Sequence, residues 1–241
     1  MILFVVPAYN EEANITKLVH QTDQFARSEK LDYRLIIVDD GSVDRTASII
    51  LEQSRTFPCT LVSYRPNRGV GEAFRRGLHK ALENCTPDDW IVTMEADGTS
   101  DLGILKDLMK KMDSGCESAL ASCYADGGGV EGTTWFRRFL SYGANTLLYI
   151  FCPIPGVRTY SSFYRVYKPS ALREVLTHYG DFYVEPGFAC VVELLVRLAR
   201  LGKKIEEVPM LLRGQRRKGQ SKMKIMNTIM GYLRIIWRTP R

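Results

Sequence analysis

The hydrophobic and polar residues of the first 95 positions alternate between two patterns. Short apolar runs, typical of buried strands, are followed by segments in which apolar residues recur every three or four positions, as on one face of a helix. The apolar runs cover residues 2–6, 35–38, 60–64 and 90–94, and the helical segments cover residues 11–28, 44–51 and 69–83. Strands that alternate with helices predict βαβ units and a mostly parallel sheet, so residues 1–95 are expected to form a Rossmann-like half.

Two residues are expected to set boundaries within this half. Pro7 follows the first apolar run and is expected to end that strand. Asp44 precedes the second helical segment and is expected to be its N-cap.

The rest of the chain is less regular. Strands are predicted over residues 117–124 and 204–208, a flexible loop over 127–129, an aromatic-rich helix over 133–151, a strand or loop over 161–167, and helices over 187–201 and 225–237. The last helix is amphipathic, and its apolar stretch is too short to span a bilayer but suited to lie on one. No solenoid or propeller repeat interrupts the chain, so a single α/β domain is predicted.

Polar clusters follow three of the predicted strands directly. They are Tyr9-Asn10-Glu11, Asp39-Asp40 and Glu95-Ala96-Asp97. In an open parallel sheet, ligands bind beyond the carboxyl ends of the strands, where such loops converge. The sequence therefore predicts a binding site at this edge.

The net charge of +6 is unevenly distributed along the 241 residues. No acidic residue follows Glu207, whereas nine Lys or Arg residues do. A basic tail suits an anionic partner such as phosphate, lipid headgroups or nucleic acid. Nucleic acid is the weakest of these, because no helix-turn-helix, zinc or RNP-type motif accompanies the basic residues.

The six cysteines are scattered and no pair has CxxC spacing, which predicts reduced thiols rather than a zinc site. Met1 leads directly into an apolar run without a basic leader, which predicts no secretory signal. Both observations favour the cytosol or a cytosolic membrane face.

Glu95 and Asp97 are the strongest candidates for chemistry. Two carboxylates at i and i+2 after a strand suit Mg²⁺ or Mn²⁺, which takes one or two carboxylates together with substrate phosphates. The alternative is a solvated acidic pair before a turn at Gly98. Likewise, Asp40 suits hydrogen bonding to a base or ribose, or an Asx-turn.

Other residues have ordinary structural interpretations. Glu193 is expected to pair with Arg197 one turn along a helix. The three histidines are expected to be structural. Trp135, Phe136 and Phe139 are expected to be core residues more often than a ligand platform, with an acceptor groove beside them left open.

Six motifs in order along most of the chain resemble glycosyltransferase family 2, and within it the polyprenyl-phosphate sugar synthases of the dolichyl-phosphate mannose synthase type. The segments are Pro7-Ala-Tyr9-Asn-Glu11, Val38-Asp39-Asp40-Gly-Ser, Asn67-Arg68-Gly69-Val-Gly71, Glu95-Ala96-Asp97, Trp135-Phe-Arg137 with Ser141, and Arg216-Arg-Lys-Gly-Gln-Ser-Lys222. Each motif alone is weak, and their order carries the resemblance.

The resemblance implies a GT-A glycosyltransferase fold, a mostly parallel sheet with flanking helices. It implies a nucleotide-binding half over residues 1–98, an acceptor-side half over 99–212, and a basic loop and tail helix over 213–241. Nucleotide-sugar binding is assigned to Pro7, Tyr9, Glu11, Val38, Asp40, Ala96 and Arg216. Binding of Mg²⁺ or Mn²⁺ is assigned to Glu95, Asp97 and Thr99, and binding of the acceptor phosphate to Arg137 and Lys222. Catalysis is assigned to Asp97, Arg216 and Lys222.

The implied activity is metal-dependent, inverting transfer of a hexose from a GDP- or UDP-sugar to a polyprenyl phosphate, with the basic tail resting on the cytosolic face of a membrane. Two alternatives stay open, a family 2 enzyme acting on a polysaccharide or other hydroxyl acceptor, and a non-catalytic nucleotide-sugar binding protein. The family pattern is altered at three places. Cys123 replaces a phosphate-binding Arg, Thr159 replaces an Asp in a segment that also lacks its Gly, and Glu95 replaces the first metal-site Asp.

Overall fold

The computed structural model describes residues 1–214 and 225–238, which form a seven-stranded sheet, a two-stranded ribbon and eight α-helices. The sheet contains β1 (Ile2–Ala8), β2 (Tyr33–Asp39), β3 (Cys59–Ser63), β4 (Trp90–Thr93), β5 (Ser118–Ser122), β7 (Arg165–Tyr167) and β8 (Ile205–Pro209), and the ribbon pairs β6 (Gly129–Glu131) with β9 (Leu211–Arg213). The helices are α1 (Glu12–Ser28), α2 (Thr46–Gln53), α3 (Val70–Asn84), α4 (Leu105–Asp113), α5 (Trp135–Phe151), α6 (Pro169–Tyr179), α7 (Cys190–Arg200) and α8 (Ile225–Arg238).

The sheet is mostly parallel, as predicted. Its strand order is β3-β2-β1-β4-β7-β5-β8, and only β7 runs antiparallel to its neighbours. Four parallel strands joined through helices form the Rossmann-like half. Because β7 is antiparallel, its first residue lies at the same edge as the last residues of β4 and β5.

Apolar residues fill both faces of the sheet. In β1, Leu3 and Val5 join a core with α3, α6 and α7, whereas Phe4 and Val6 join a second core with α1, α2 and α4. Alternate residues of a strand point to opposite faces, and a sheet buried on both faces therefore needs a continuous apolar run. This is why the runs at residues 2–6 and 35–38 have no polar alternation.

Several boundaries differ from the expectations. β1 passes through Pro7 and ends at Ala8. The missing N–H of Pro7 faces the side of β4, where pairing stops at Val5 and Thr93, so no ladder bond is lost. The residue before α2 is Arg45, while the Asp44 carboxylate accepts the N–H of Thr46 at 2.9 Å.

Three elements were not predicted. Helix α6 begins with Pro169 at its first position and ends at Gly180 in a left-handed conformation with φ +75°. Both are recognised helix signals that the sequence contains. Helix α4 and the β6–β9 ribbon were also missed, and Gly129 belongs to that ribbon rather than to a loop.

Candidate active site

The loops after β1 and β2 are joined to each other at the carboxyl edge of the sheet. The backbone N–H of Asn10 donates to the Ser42 hydroxyl at 2.9 Å, and the side-chain oxygen of Asn10 accepts the N–H of Val43 at 2.9 Å. The N–H of Glu11 donates to Thr46 Oγ1 at 2.8 Å. The Tyr9–Glu11 segment is therefore held in a fixed position beside the β2 loop, as the convergence of polar clusters predicts.

Glu95, Asp97 and Thr99 lie together after β4. Thr99 Oγ1 is 2.6 Å from Asp97 Oδ1 and 3.1 Å from Glu95 Oε2, and the backbone N–H of Thr99 also donates to Asp97 Oδ1 at 3.0 Å. Asp97 is 8% exposed, and Glu95 is more open. The structure thus brings together all three residues that the sequence proposed for a metal.

The chemistry of this group fits a hard divalent cation. It offers two carboxylates and a hydroxyl, all oxygen donors, which Mg²⁺ and Mn²⁺ prefer. Within residues 1–214 and 225–238, no cluster of three or more His, Cys, Asp or Glu side chains suits a metal ion. A cation held here by Glu95 and Asp97 would therefore need further oxygen ligands, which substrate phosphates can supply.

Asp40 is buried and its carboxylate anchors the loop after β3. Oδ1 accepts from the Tyr64 hydroxyl and from the N–H of Arg68, both at 2.8 Å, and Oδ2 accepts from Asn67 at 2.8 Å. Burial, followed by the bond to Asp40, raises the pKa of Tyr64, whose ring also stacks 4.4 Å from the Arg76 guanidinium. Asp40 therefore holds the loop after β3 in place at the carboxyl edge of the sheet. Its contact with a nucleotide base stays a prediction.

The other predicted nucleotide-binding residues differ in placement. Pro7 is half-buried at the end of β1, and Ala96 is buried within the β4 loop. Val38 is fully buried, and its side chain lies against Gly77 of α3 in the core. The prediction that Val38 contacts the donor is not supported for its side chain, because an apolar residue in a doubly covered strand packs inward.

On the acceptor side, the altered positions Cys123 and Thr159 lie in one cluster with Ser122 and Glu207. The hydroxyls of Ser122 and Thr159 are 2.6 Å apart, and Glu207 Oε1 accepts the backbone N–H of Thr159 at 2.6 Å. Burial raises the pKa of the Cys123 thiol, so it stays protonated. Hydroxyls, a protonated thiol and the Glu207 carboxylate therefore occupy the place where the resemblance leads one to expect an Arg and an Asp.

Trp135 and Phe139 of α5 are not core residues, contrary to the prediction, and the side chain of Phe136 is outside the described part of the chain. Trp135 is 76% exposed and Phe139 is 66% exposed, while Leu148 on another face of the helix is fully buried. One face of α5 packs on the protein and the aromatic face is left open. Arg137 lies in the first turn of α5, but its side chain is outside the described part of the chain.

The basic motif of the tail is not described. Arg216 and Lys222 lie outside the described residues. Helix α8, which follows them, was expected to be amphipathic, with Lys and Arg on one side. Its two arginines, Arg234 and Arg238, both bind the buried carboxylate of Glu185, at 2.6 Å and 3.1 Å. An acidic side chain that is 3% exposed requires a counter-charge, and the tail helix provides it.

Glu193 pairs with Arg197 at 2.6 Å, as predicted, and its other oxygen accepts the N–H groups of Val184 and Glu185 at 2.9 Å each. Glu185 itself was missed at the sequence level. Its partners lie 49 and 53 residues further along the chain, so no local spacing in the sequence predicts the contact.

Residues 3–176 match the family model described as glycosyl transferase family 2. A dolichol-phosphate mannosyltransferase of Pyrococcus furiosus is 31% identical over 240 residues, covering 97% of this chain and 62% of that protein. A polyprenol monophosphomannose synthase of Mycolicibacterium smegmatis is 28% identical, covering 92% of this chain and 80% of the relative. A dolichyl-phosphate beta-glucosyltransferase of Trichomonas vaginalis is 27% identical, and this chain spans 63% of its length.

Solved structures share the fold at low identity. Glucosyl-3-phosphoglycerate synthase of Mycobacterium tuberculosis, in complex with Mn²⁺ and uridine diphosphate, superposes with a TM-score of 0.69 at 19% identity and covers 98% of this chain and 78% of its own. A mannosyltransferase of Pyrobaculum calidifontis, in complex with GDP-Man and Mn²⁺, gives 0.63 at 17% identity, with coverage of 100% and 65%. These likenesses confirm the predicted GT-A fold.

Proposed function

The chain belongs to glycosyl transferase family 2, and we propose that it transfers a hexose from a nucleotide-sugar donor to a polyprenyl phosphate. The convergence of Glu95, Asp97 and Thr99 after β4, the strand that pairs with β1 at the same edge of the sheet, is the observation that carries this proposal. It supplies oxygen ligands for a metal-bound diphosphate at the edge where the loops of the nucleotide half meet. The names of the three relatives support the class of acceptor.

In this proposal, Glu95 and Asp97 would hold Mg²⁺ or Mn²⁺, and the ion would supply positive charge against the leaving nucleotide diphosphate. The Thr99 hydroxyl lies within hydrogen-bond distance of both carboxylates and fixes their relative orientation. The Tyr9–Glu11 loop and the Asp40-anchored loop bind the nucleoside. Arg216 and Lys222 are assigned to the phosphates from their sequence motif alone.

The acceptor chemistry favours a phosphate over a hydroxyl. A phosphate monoester is already ionised near neutral pH, whereas a hydroxyl requires a general base within hydrogen-bond reach. In a single displacement, the acceptor oxygen forms the new bond to the anomeric carbon as the bond to the diphosphate breaks, and the configuration is inverted. No proton transfer is then needed from a side chain.

We also propose that the protein rests on an anionic, cytosolic membrane face, through its apolar helices rather than through basic residues alone. Helix α8 exposes Met226, Met230, Leu233 and Trp237, which recur at helical spacing along one stripe. Helix α5, which packs beside α8, exposes Trp135, Phe139, Tyr142 and Ile150. Aromatic residues beside aliphatic ones suit the interfacial region of a bilayer. Within the described residues, no helix is long and apolar enough to cross it.

A labelled-sugar assay tests the function. The protein is incubated with a panel of labelled GDP- and UDP-sugars, Mn²⁺ or Mg²⁺, and liposomes that contain polyprenyl phosphate, and the label in the lipid phase is counted. Transfer that requires both metal and the lipid phosphate is expected. Label found only in water-soluble product would replace the proposal with a hydroxyl-acceptor enzyme, and donor binding without turnover would replace it with a non-catalytic binding protein.

Co-sedimentation with liposomes tests the membrane contact separately. The variant Met230→Ser/Trp237→Ser is expected to remain in the supernatant, because the apolar stripe is removed. The matched control is His20→Ser/Lys30→Ser, which changes two surface positions on the nucleotide half. Equal sedimentation of both variants would exclude α8 as the contact.

A further inference from the structure

Arg165 occupies a special position in the sheet. It is the first residue of β7, the strand that separates β4 from β5. It pairs with Thr93, the last residue of β4, on one side and with Leu120 on the other. Arg165 therefore lies at the catalytic edge, between the loop that carries Asp97 and the segment that begins at Ser122.

The guanidinium of Arg165 is fully buried without an acidic partner. Nη1 donates to the carbonyl of Val191 at 2.7 Å and Nη2 to that of Tyr160 at 2.6 Å, while Nε has no hydrogen-bond partner. No carboxylate among residues 1–214 and 225–238 lies within ion-pair distance of it. Carbonyl dipoles satisfy two of its donors but do not cancel its full charge. A bare buried charge is costly, so the fold bears an electrostatic penalty at this position.

We propose that Arg165 is a specificity-determining residue whose buried charge makes the acceptor side of the edge prefer a phosphate over a neutral alcohol. The inference rests on the proposed function and deepens it, by naming what selects the acceptor. Position 123, on the neighbouring β5 loop, holds a thiol where the resemblance leads one to expect a cation. A buried charge acts over several ångströms because the protein interior screens it weakly.

A purely structural role is the competing account. Arg165 joins the 158–164 segment to α7 through its two carbonyl partners, and the loss of those bonds would disturb the edge whatever the charge. The two accounts differ in what a compensating acid does. An acid placed beside Arg165 opposes its charge while both of its carbonyl partners are still present.

Cys190 provides the position for that acid. It is the first residue of α7 and is fully buried. Burial raises the pKa of its thiol to about 12, and the charge of Arg165 acts in the opposite direction, so the two groups interact electrostatically. Cys190→Asp introduces a carboxylate there, and Cys190→Asn is its neutral match in shape.

The experiment measures the affinities of the full chain for farnesyl phosphate and farnesol by calorimetry, without turnover. We expect the wild type and Cys190→Asn to bind the phosphate more tightly than the alcohol. In Cys190→Asp, the ratio of the two affinities is expected to fall about tenfold, because the new carboxylate compensates the charge of Arg165 at close range. An unchanged preference in Cys190→Asp would overturn the proposal.

A second pair of variants covers the case in which Cys190→Asp does not fold. Arg165→Met is expected to lose the preference, whereas Arg165→Lys, which keeps the charge but not the planar fork, is expected to keep most of it. Equal loss in both would show a structural role and overturn the proposal. If the wild type binds the phosphate in this charge-dependent way but transfers no sugar to it, the proposed function fails while this inference stands.

Discussion

The hydroxyl of Thr99 lies 2.6 Å from Oδ1 of Asp97 and 3.1 Å from Oε2 of Glu95, so one small side chain connects the two carboxylates. Hydrogen bonds to metal-ligating carboxylates fix their orientation, and their loss typically weakens metal binding about 10- to 100-fold. We expect Thr99→Val to weaken Mn²⁺ binding by about that factor, measured by titration in the presence of nucleotide diphosphate. Thr99→Ser keeps the hydroxyl and is expected to bind as the wild type does.

Asp97→Ala is expected to reduce sugar transfer by at least about 100-fold while the fold is retained, because it removes a ligand for the charge-neutralising cation. The measurement is turnover of labelled donor, with circular dichroism as the check on folding. The matched control is Asp107→Ala, which removes an exposed acid of α4 that pairs with Lys110. Transfer by Asp97→Ala at the rate of this control would remove Asp97 from the mechanism.

The bond from the Tyr64 hydroxyl to Asp40 is expected to stabilise the β3 loop. Tyr64→Phe removes one of three donors to that carboxylate and should cost about 1 kcal/mol of unfolding free energy, measured by urea denaturation. It should also weaken donor binding, because the loop lies at the nucleotide edge. An unaffected donor affinity would separate this loop from the nucleotide site.

The same variant has a pH signature. Folding raises the pKa of Tyr64, so above about pH 10 the unfolded chain ionises this tyrosine while the folded protein keeps it protonated. The wild type therefore loses stability from this group as the pH rises past 10, and the phenylalanine variant does not. The stability difference between them should shrink above pH 10, and a difference that grows there would contradict the assignment.

The contact between Glu185 and the two arginines of α8 predicts an asymmetry. Glu185 is buried, whereas Arg234 and Arg238 are nearly half exposed and can still reach water when their partner is gone. Arg234→Met/Arg238→Met should therefore lower the thermal unfolding midpoint more than Glu185→Gln does, since it strands a buried carboxylate. A lower midpoint for Glu185→Gln than for the double arginine variant would show that the pairing stabilises α8 rather than the buried carboxylate.

The cysteines provide a chemical test of the core. Burial raises the pKa of Cys59 to about 12, and that of Cys116, Cys123 and Cys152 is also raised, so at pH 8 these thiols are protonated and unreactive. Native alkylation should label Cys85, the partly exposed cysteine, and leave the five buried ones unmodified. In urea all six should react, and mass spectrometry distinguishes the two patterns.

The nucleotide half was predictable because its signals are local. Each strand in it is an apolar run, each is followed by a polar loop, and parallel strands bring such loops to one edge. The metal candidates were found in this way. What they do at that edge is set by contacts such as that of Asp40 with Tyr64, which connect positions 24 residues apart.

The acceptor half was less predictable because its features depend on which neighbour covers which face. The aromatic side chains of α5 are apolar enough for a core, yet the protein covers only the face that carries Leu148. The role of Glu185 depends on arginines more than 40 residues later, and the exceptional position of Arg165 depends on the antiparallel insertion of β7. Neither relation leaves a pattern along the chain.

The insertion of β7 also constrains how the molecule is assembled. β4 and β5 are separated in the sheet by a strand that is synthesised some 45 residues after β5, so both present unpaired edges until Arg165–Tyr167 arrives. The four strands of the amino-terminal half can pair earlier, during synthesis, because all four lie within residues 2–93. The edge that would carry the chemistry is therefore completed late, and a nascent chain stalled before β7 exposes the open edge of β4 and an unpaired β5, both prone to association with other chains.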